Sequence, residues 1–516
     1  ARLREIVVAH GPASIAFLGG EKLNLEEQYL YQKLARGVLG TSNVDARTRH
    51  TARVSGAAVL RATGGGRPCL SLDDLFQSSE VLVLGEDLQG EAPFAQAQII
   101  RGQHQKGLHV TVAHSRRVKL ARGKFRGDWL GLRPGAELAL MNALTLAALE
   151  AGDPVDAPVE VVAALRSLRG ALADSSPEQT EAQTGVPAAA VRAAAKRLLD
   201  APRKAVLFGR AYTEHAEAAQ LVQAVENLGW ASGTLTSSRS GVMFLGPQQN
   251  SQGALDMGLT PDRLPGYVDP ADAGARKSFE KSWGATLSAS PGLSAPEVLA
   301  AAADGRVKAL WIVGDEWLAS APDRALAERA MERCELVIVN ELFLTETAKR
   351  AHVVFPAAAF AEKEGTVVNC ERRAQRTARA LSPRRGSRAD WEIFQAVARG
   401  LGAAWSYRTS DDVLREITRL VPGYDGLSPA RLIPDGAMWS AGTPLVAAAP
   451  VAPGRGAAPA AGEGLWLLAG GTLFAQGTLS GRSDTLTRLA GASRAWLHPD
   501  DAKRLPAPAA VCMRPH

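Results

Sequence analysis

Cysteine is scarce: the chain has four in 516 residues, Cys69, Cys334, Cys370 and Cys512. They lie too far apart to form a CxxC pair or any zinc or iron–sulfur spacing. A disulfide framework is not expected in so long a chain with so few thiols. What remains is four separate structural or surface thiols in a reducing compartment. The nine histidines show no HExxH and no paired spacing. Long apolar runs are missing too. None reaches the roughly 20 residues needed to cross a bilayer, and the start shows no basic-then-apolar leader, so no signal peptide is expected. If the protein works at a membrane, a partner must hold it there. No basic run is interleaved with aromatics, and a net charge of +6 is small for this length, which argues against a nucleic-acid partner.

What is present is ordinary globular material, 46% hydrophobic and 22% charged, long enough for roughly three or four domains with large cores. Strands and helices alternate at the spacing of repeated βαβ units, so mainly parallel sheets are expected. SIAFLGG (14–20) reads as a strand ending in a glycine turn. LNLEEQYLYQKLARGVLG follows as an amphipathic helix with Leu30, Leu34 and Val38 on one face. NVDARTRHTARVSG (43–56) is a polar loop. EVLVLG is a buried strand with Gly85, Glu86 and Asp87 at its carboxyl end, where such sheets bind ligands. The strands LHVTVA and KAVLFG follow with their helices, residues 156–200 being helical and Ala-rich. The segment 230–305 reads as loop-rich, and VKALWIVGDEW restarts the α/β pattern. Residues 441–463 have the Ala/Pro/Gly composition of a linker, and 464–516 read as the start of a β-rich domain.

The stretch with the most information runs from Glu341 to Arg376. LFLTETAKRA is a short helix that Thr345 or Thr347 can cap. HVVFPAA is a buried strand stopped by Pro356. AFAEKEGTVVNCERRAQR is a polar loop with Gly365 at its bend. About thirty consecutive positions here resemble the signature of the molybdopterin oxidoreductase superfamily. NSQGALDMG, DRLPGY, FEKSWG and ADWEIF are similar to formate dehydrogenase large subunits. VLVLGEDLQGEAP is more similar to the molybdopterin-oxidoreductase-like subunit of NADH:quinone oxidoreductase (respiratory complex I).

The formate dehydrogenase resemblance implies three chemical groups, and none is in place. A cysteine or selenocysteine followed by histidine should ligate the metal after Asn-Val-Asp; here Arg49 precedes His50, and Thr51 takes the cysteine's place in an ungapped reading. Ser55 is the nearest alternative ligand. An arginine should bind the substrate carboxylate ahead of Gln-Gly; counting back from Gly253 puts Gly246 there. An aspartate should accept from guanine of the pterin dinucleotide; here the matching run is His114, Ser115, Arg116.

The resemblance, with these substitutions, implies the following expectations. The fold is α/β and multidomain, like domains 1–3 of formate dehydrogenase, with doubly wound, mainly parallel sheets. Its first domain is residues 1–45 with about 246–440, its second 46–245. The chain itself carries no cofactor, metal or catalytic residue. Gly20, Gly85, Glu86, His114, Arg116, Gly246, Gly253, Glu364, Gly365 and Thr366 are relic pterin-cleft positions, and Glu362, Asn369 and Arg372 are structural. Iron–sulfur clusters lie on an N-terminal segment missing from this chain or on a partner. The resemblance to the complex I protein implies a supporting role in electron transfer from NADH to quinone, beside iron–sulfur and flavin subunits, in the cytoplasm at the inner face of the membrane. The alternative is a formate dehydrogenase with molybdopterin guanine dinucleotide and Mo or W; a second alternative is a stand-alone scaffold.

Overall fold

The computed structural model describes residues 1–439 except 66–69, 123–126 and 156, together with 477–491, 499–503 and the single positions 454, 465, 467, 468, 470 and 497. Among the described residues thirteen strands form three sheets. β1 (Ile15–Gly19), β2 (Val44–Asp45), β8 (Ala309–Val313), β9 (Leu336–Glu341) and β10 (Val353–Pro356) make one all-parallel sheet, in the order β10-β9-β8-β1-β2. β3 (Glu80–Leu84), β4 (His109–Ala113), β5 (Asp128–Leu130), β6 (Lys204–Gly209) and β7 (Gly241–Leu245) make a second, in the order β5-β4-β3-β6-β7. β11 (Gly365–Val368), β12 (Arg373–Thr377) and β13 (Ala437–Met438) are antiparallel.

Both parallel sheets are doubly wound. In the first, the chain runs outward from β1 to β2, then outward the other way from β8 to β10. Its switch point therefore lies at the carboxyl ends of β1 and β8. In the second, the switch point lies at the ends of β3 and β6. Open α/β sheets bind their ligands at such crevices, and this topology places Gly19–Glu21 with Gly314–Asp315 at one crevice and Gly85–Asp87 with Gly209–Arg210 at the other.

The central strands are continuous apolar runs because both faces are covered. Trp311 on β8 is fully buried among Phe17, Tyr31 and Phe394, with ring centroids 5.5, 6.4 and 5.9 Å away. Its indole donates to Asn340 Oδ1 at 2.9 Å, so the buried N–H is satisfied.

Four sequence expectations change. The helix Leu25–Lys33, continued by a π-helical turn at Leu34–Val38, is buried on every side rather than amphipathic, Glu26, Glu27 and Gln28 included. β10 is an edge strand with Val353 and Val354 half exposed, not a buried one. The polar loop after it is a hairpin, with Gly365 opening β11 and the turn at Asn369–Arg372, where Arg372 has φ +58°. The loop-rich segment 230–305 contains β7 and the helices Ser251–Asp256, Ala273–Trp283 and Ala295–Ala303. The linker 441–463 and most of the β-rich segment 464–516 lie outside the described residues; of the latter, 484–490 is a short helix.

Candidate functional site

The positions singled out in the sequence fall into three groups. Gly20, Gly253, Gly365 and Thr366 gather around the buried helix Leu25–Lys33. Gln28 donates from Nε2 to the carbonyls of Gly20 and Asn250 at 3.0 and 3.1 Å. Asn250 donates to Leu23 O at 2.7 Å and accepts from Val368 N at 2.8 Å. Glu26 accepts from Thr366 N and Thr366 Oγ1, both at 2.8 Å, and from Arg376 at 3.2 Å. Beside it Glu27 accepts from Asn24 N, Asp390 N and Lys363 Nζ at 2.9, 3.0 and 2.7 Å, and Lys363 also reaches Asp390 at 2.9 Å. A buried carboxylate persists only when its lone pairs are met in this way.

The sequence reading missed this network. It weighed Glu362 and Glu364, yet Glu364 is half exposed, 3.8 Å from Arg376, and Glu362 only accepts from Ala359 N at 2.9 Å. Lys363 between them is the buried member. The available signal was Glu26-Glu27-Gln28 inside a segment otherwise patterned for burial.

The second group lies along the ends of β3, β4 and β6. Glu86 is buried and accepts from Ala211 N at 2.9 Å. Burial pushes its carboxyl up to about 8, against that hydrogen bond and with Glu91 nearby adding to the rise. Its Oε1 would sit 2.8 Å from a Cβ at Gly209, so it fills the space over that glycine. A Cβ at Gly85 would meet Ala211 Cβ at 2.8 Å and the Tyr212 ring at 3.0 Å. At the end of β4, His114 Nδ1 accepts from Arg116 N at 2.8 Å, and Arg116 pairs with Asp87 at 2.6 Å. Burial and the Arg116 charge hold His114 below its ordinary value, hence neutral.

The third group is the loop after β2. Arg47 pairs with Asp45 at 2.9 Å and donates to Val54 O at 2.5 Å. Thr48 donates to Asp315. His50 is buried, and burial together with Arg47 drives its pKa well down. Thr51 Oγ1 donates to Glu214 O at 3.1 Å. Ser55 is taken by Asp262, at 2.5 Å, ahead of the helix Gly56–Ala62. Glu21 at the other crevice is pushed up to about 7, by burial first and by Asp315 and Glu214 in addition. Burial raises Glu214, against the charge of Arg210 first and of Arg49 second.

Three of these positions lack the groups that the formate dehydrogenase resemblance implies: Thr51, Gly246 and His114 stand where a thiolate, an arginine and an aspartate are expected. Among the described residues no three or more His, Cys, Asp and Glu side chains gather where they alone could hold a metal; a pterin-held metal takes a single protein ligand. Cys69 and Cys512 lie outside them; Cys334 is buried against Val307 O, and Cys370 is part-buried beyond β11. At Gly246 a Cβ would lie 2.5 Å from Ser251 Cβ, so an arginine there has no room. A pyrophosphate needs bare backbone N–H groups and positive potential. Gly85 and Gly209 are closed over by Ala211, Tyr212 and Glu86, whereas a Cβ at Gly314 in the β1/β8 crevice would meet only Lys22 Cβ, at 3.9 Å; carboxylates stand at both crevices with cations beside them, Arg47 near Glu21 and Arg210 near Glu86. No helix among the described residues is long and apolar enough to cross a membrane.

Known proteins align with this frame. The chain is 33% identical over 433 residues to the probable oxidoreductase YjgC of Bacillus subtilis, covering 84% of this chain and 44% of that one. It is 32% identical over 504 residues to the NADPH-Fe(3+) oxidoreductase subunit alpha of Geobacter sulfurreducens, covering 98% and 58%. To the F420-dependent formate dehydrogenase 1 subunit alpha of Methanococcus maripaludis it is 31% identical over 450 residues, covering 85% and 65%. The chain thus spans about half to two thirds of the length of these curated relatives. No complex I protein is among these three, so the resemblance to complex I rests on the sequence runs alone. Acetylene hydratase from Pelobacter acetylenicus shares the fold at 18% identity, with a TM-score of 0.63 over 83% of this chain and 64% of that one. A family model described as molybdopterin oxidoreductase matches residues 1–400, and the chain belongs to the molybdopterin oxidoreductase family.

Proposed function

We propose that this chain is the molybdopterin-oxidoreductase-type subunit of a multisubunit oxidoreductase, and that within it this part of the fold is a structural frame rather than the seat of chemistry. The observation that carries the reading is the closing of the β3/β6 crevice by the chain's own side chains, with carboxylates at the β1/β8 crevice. Glu86 covers Gly209, Ala211 and Tyr212 cover Gly85, and Glu21 and Asp315 stand at the β1/β8 end. The relatives named as alpha subunits support a chain that works with partners. The resemblance of VLVLGEDLQGEAP to the complex I protein supports, for this reading, the NADH:quinone class of reaction, at the inner face of the membrane and with iron–sulfur and flavin groups on partner subunits.

A second reading is a formate dehydrogenase-type enzyme with molybdenum or tungsten on two pterin guanine dinucleotides. What favours it is the identity to the formate dehydrogenase alpha subunit of Methanococcus maripaludis, and on that score the relatives weigh toward it over the NADH:quinone assignment. One measurement separates the two: elemental analysis with acid release of pterin on the protein purified from its own host. The first reading expects less than about one tenth of an equivalent of either metal and no released guanine nucleotide. Stoichiometric metal with pterin would sink it, and formate oxidation would then be the activity to assay.

A further inference from the structure

From Arg372 to Ala389 the chain carries seven arginines and neither Asp, Glu nor Lys. Three are used internally: Arg372 is buried, Arg373 pairs with Glu371, and Arg376 pairs with Glu26 and Asp411. Arg379, Arg384, Arg385 and Arg388 are exposed and enter no ion pair among the described residues. They stand on a well-held surface. Ala380 N and Leu381 N both donate to Ala361 O at 2.9 Å, Ala358 N donates to Arg388 O at 2.8 Å, and Arg388 N to Pro356 O at 3.1 Å. Ser387 closes a turn back onto Arg384 O, with Gly386 at φ +88°.

These bonds place the loop 357–361 between the two ends of the arginine segment. Phe360 lies in that loop and is 73% exposed; Leu381, beside it, is 61% exposed. Arg388 also lines a groove of about 310 Å³ with Arg399, Arg408, Trp391 and Tyr407, in which Glu392 is the one lining carboxylate. Apolar residues at the centre, arginines around them and a groove alongside match the composition of a protein interface rather than of a solvated face.

We propose that this face docks an acidic segment of a partner subunit, with carboxylates on Arg379, Arg384, Arg385 and Arg388 and an apolar side chain over Phe360 and Leu381. A guanidinium fork held on a fixed turn suits bidentate carboxylate pairing. A small anion would leave the Phe360–Leu381 patch uncovered. The inference rests on the reading of the chain as a subunit, and says which of its surfaces does the work.

The test uses the chain purified from its own host with the subunits that co-purify in stoichiometric amount. Arg384→Lys with Arg385→Lys keeps the charge and supplies amines for zero-length carbodiimide coupling. Cross-links from positions 384 or 385 to Asp or Glu residues of a co-purifying subunit are expected, identified by peptide mass. Arg384→Glu with Arg385→Glu, and separately Phe360→Ser, are expected to release that subunit, with an unchanged circular dichroism spectrum. Retention of the subunit by both variants, or cross-links only to this chain's own carboxylates, overturns the surface while leaving the subunit reading intact. A wild-type chain that purifies with no stoichiometric subunit overturns both. Binding of the wild type to phosphatidylglycerol vesicles, abolished by Arg384→Glu with Arg385→Glu, would reassign the face to a lipid surface.

Discussion

At the scale of single residues, one of the chain's own side chains can close a strand end where open α/β sheets bind ligands. Glu86 is that side chain, and its burial has a measurable consequence. Folding raises its carboxyl from an ordinary value of 4.5 to about 8, so the folded state favours the neutral form. The stability this contributes is fully present below the unfolded value and is lost as pH rises through the folded one. Wild type should therefore lose stability relative to Glu86→Gln as pH goes from 5 to 9, by at most about 1.4 kcal/mol per pH unit between the two pKa values. Glutamine keeps the acceptor for Ala211 N, so the variants should match near pH 5. Urea unfolding of both proteins across this range decides it, and parallel curves would show that Glu86 is not protonated on folding. Glu86 was legible in the sequence as a strand-end residue, but not its role: burial of a side chain over Gly209, more than 120 positions away, leaves no local signal.

At the scale of elements, regular pieces with apolar cores were readable and pieces satisfied by distant polar partners were not. β1, β3, β6 and β8 are apolar runs bounded by glycine or charge, and each is where the sequence puts it. β11 and β12 looked like a loop because GTVVNCERRAQR carries so much charge. That charge is taken up by Glu26, Glu371 and Asp411, on elements both near and far along the chain. Gly365 has a cause of the same kind. Its backbone is not in the left-handed region; instead a Cβ there would meet Asn24 Nδ2 at 2.5 Å and Asn24 Cβ at 2.7 Å. Asn24 begins the buried helix, with Glu27 closing its capping box. Gly365→Ala should therefore push the hairpin off that helix and cost about 1–3 kcal/mol, read as a lowered midpoint in urea. A cost below roughly 0.5 kcal/mol would mean that the signature glycine is not set by this contact.

At the scale of the whole molecule, the chain leaves the first sheet after β2, builds the second sheet, and returns after β7. The two crossings are tied together: Ala46 N donates to Leu259 O at 3.0 Å, and Arg36 reaches into the returning segment. Its guanidinium donates to Thr260 O at 2.6 Å, Arg263 O at 3.2 Å and Gly258 O at 3.5 Å. Burial lowers its pKa only to about 10, so it stays charged at neutral pH, and its Nη2 shares two hydrogens among buried and part-buried carbonyls. This is a long-range closure that neither the helix pattern around Arg36 nor the DRLPGY run announces. Arg36→Met keeps the volume and removes the donors, leaving buried carbonyls unpaired. The expected cost is roughly 2–5 kcal/mol, with new trypsin cleavage at Arg263, now half-buried in the return crossing. If the global stability falls without that cleavage, Arg36 acts through core packing alone. If cleavage appears while both sheets keep their circular dichroism, the crossing opens locally and Arg36 is the residue that joins the two parts of the frame.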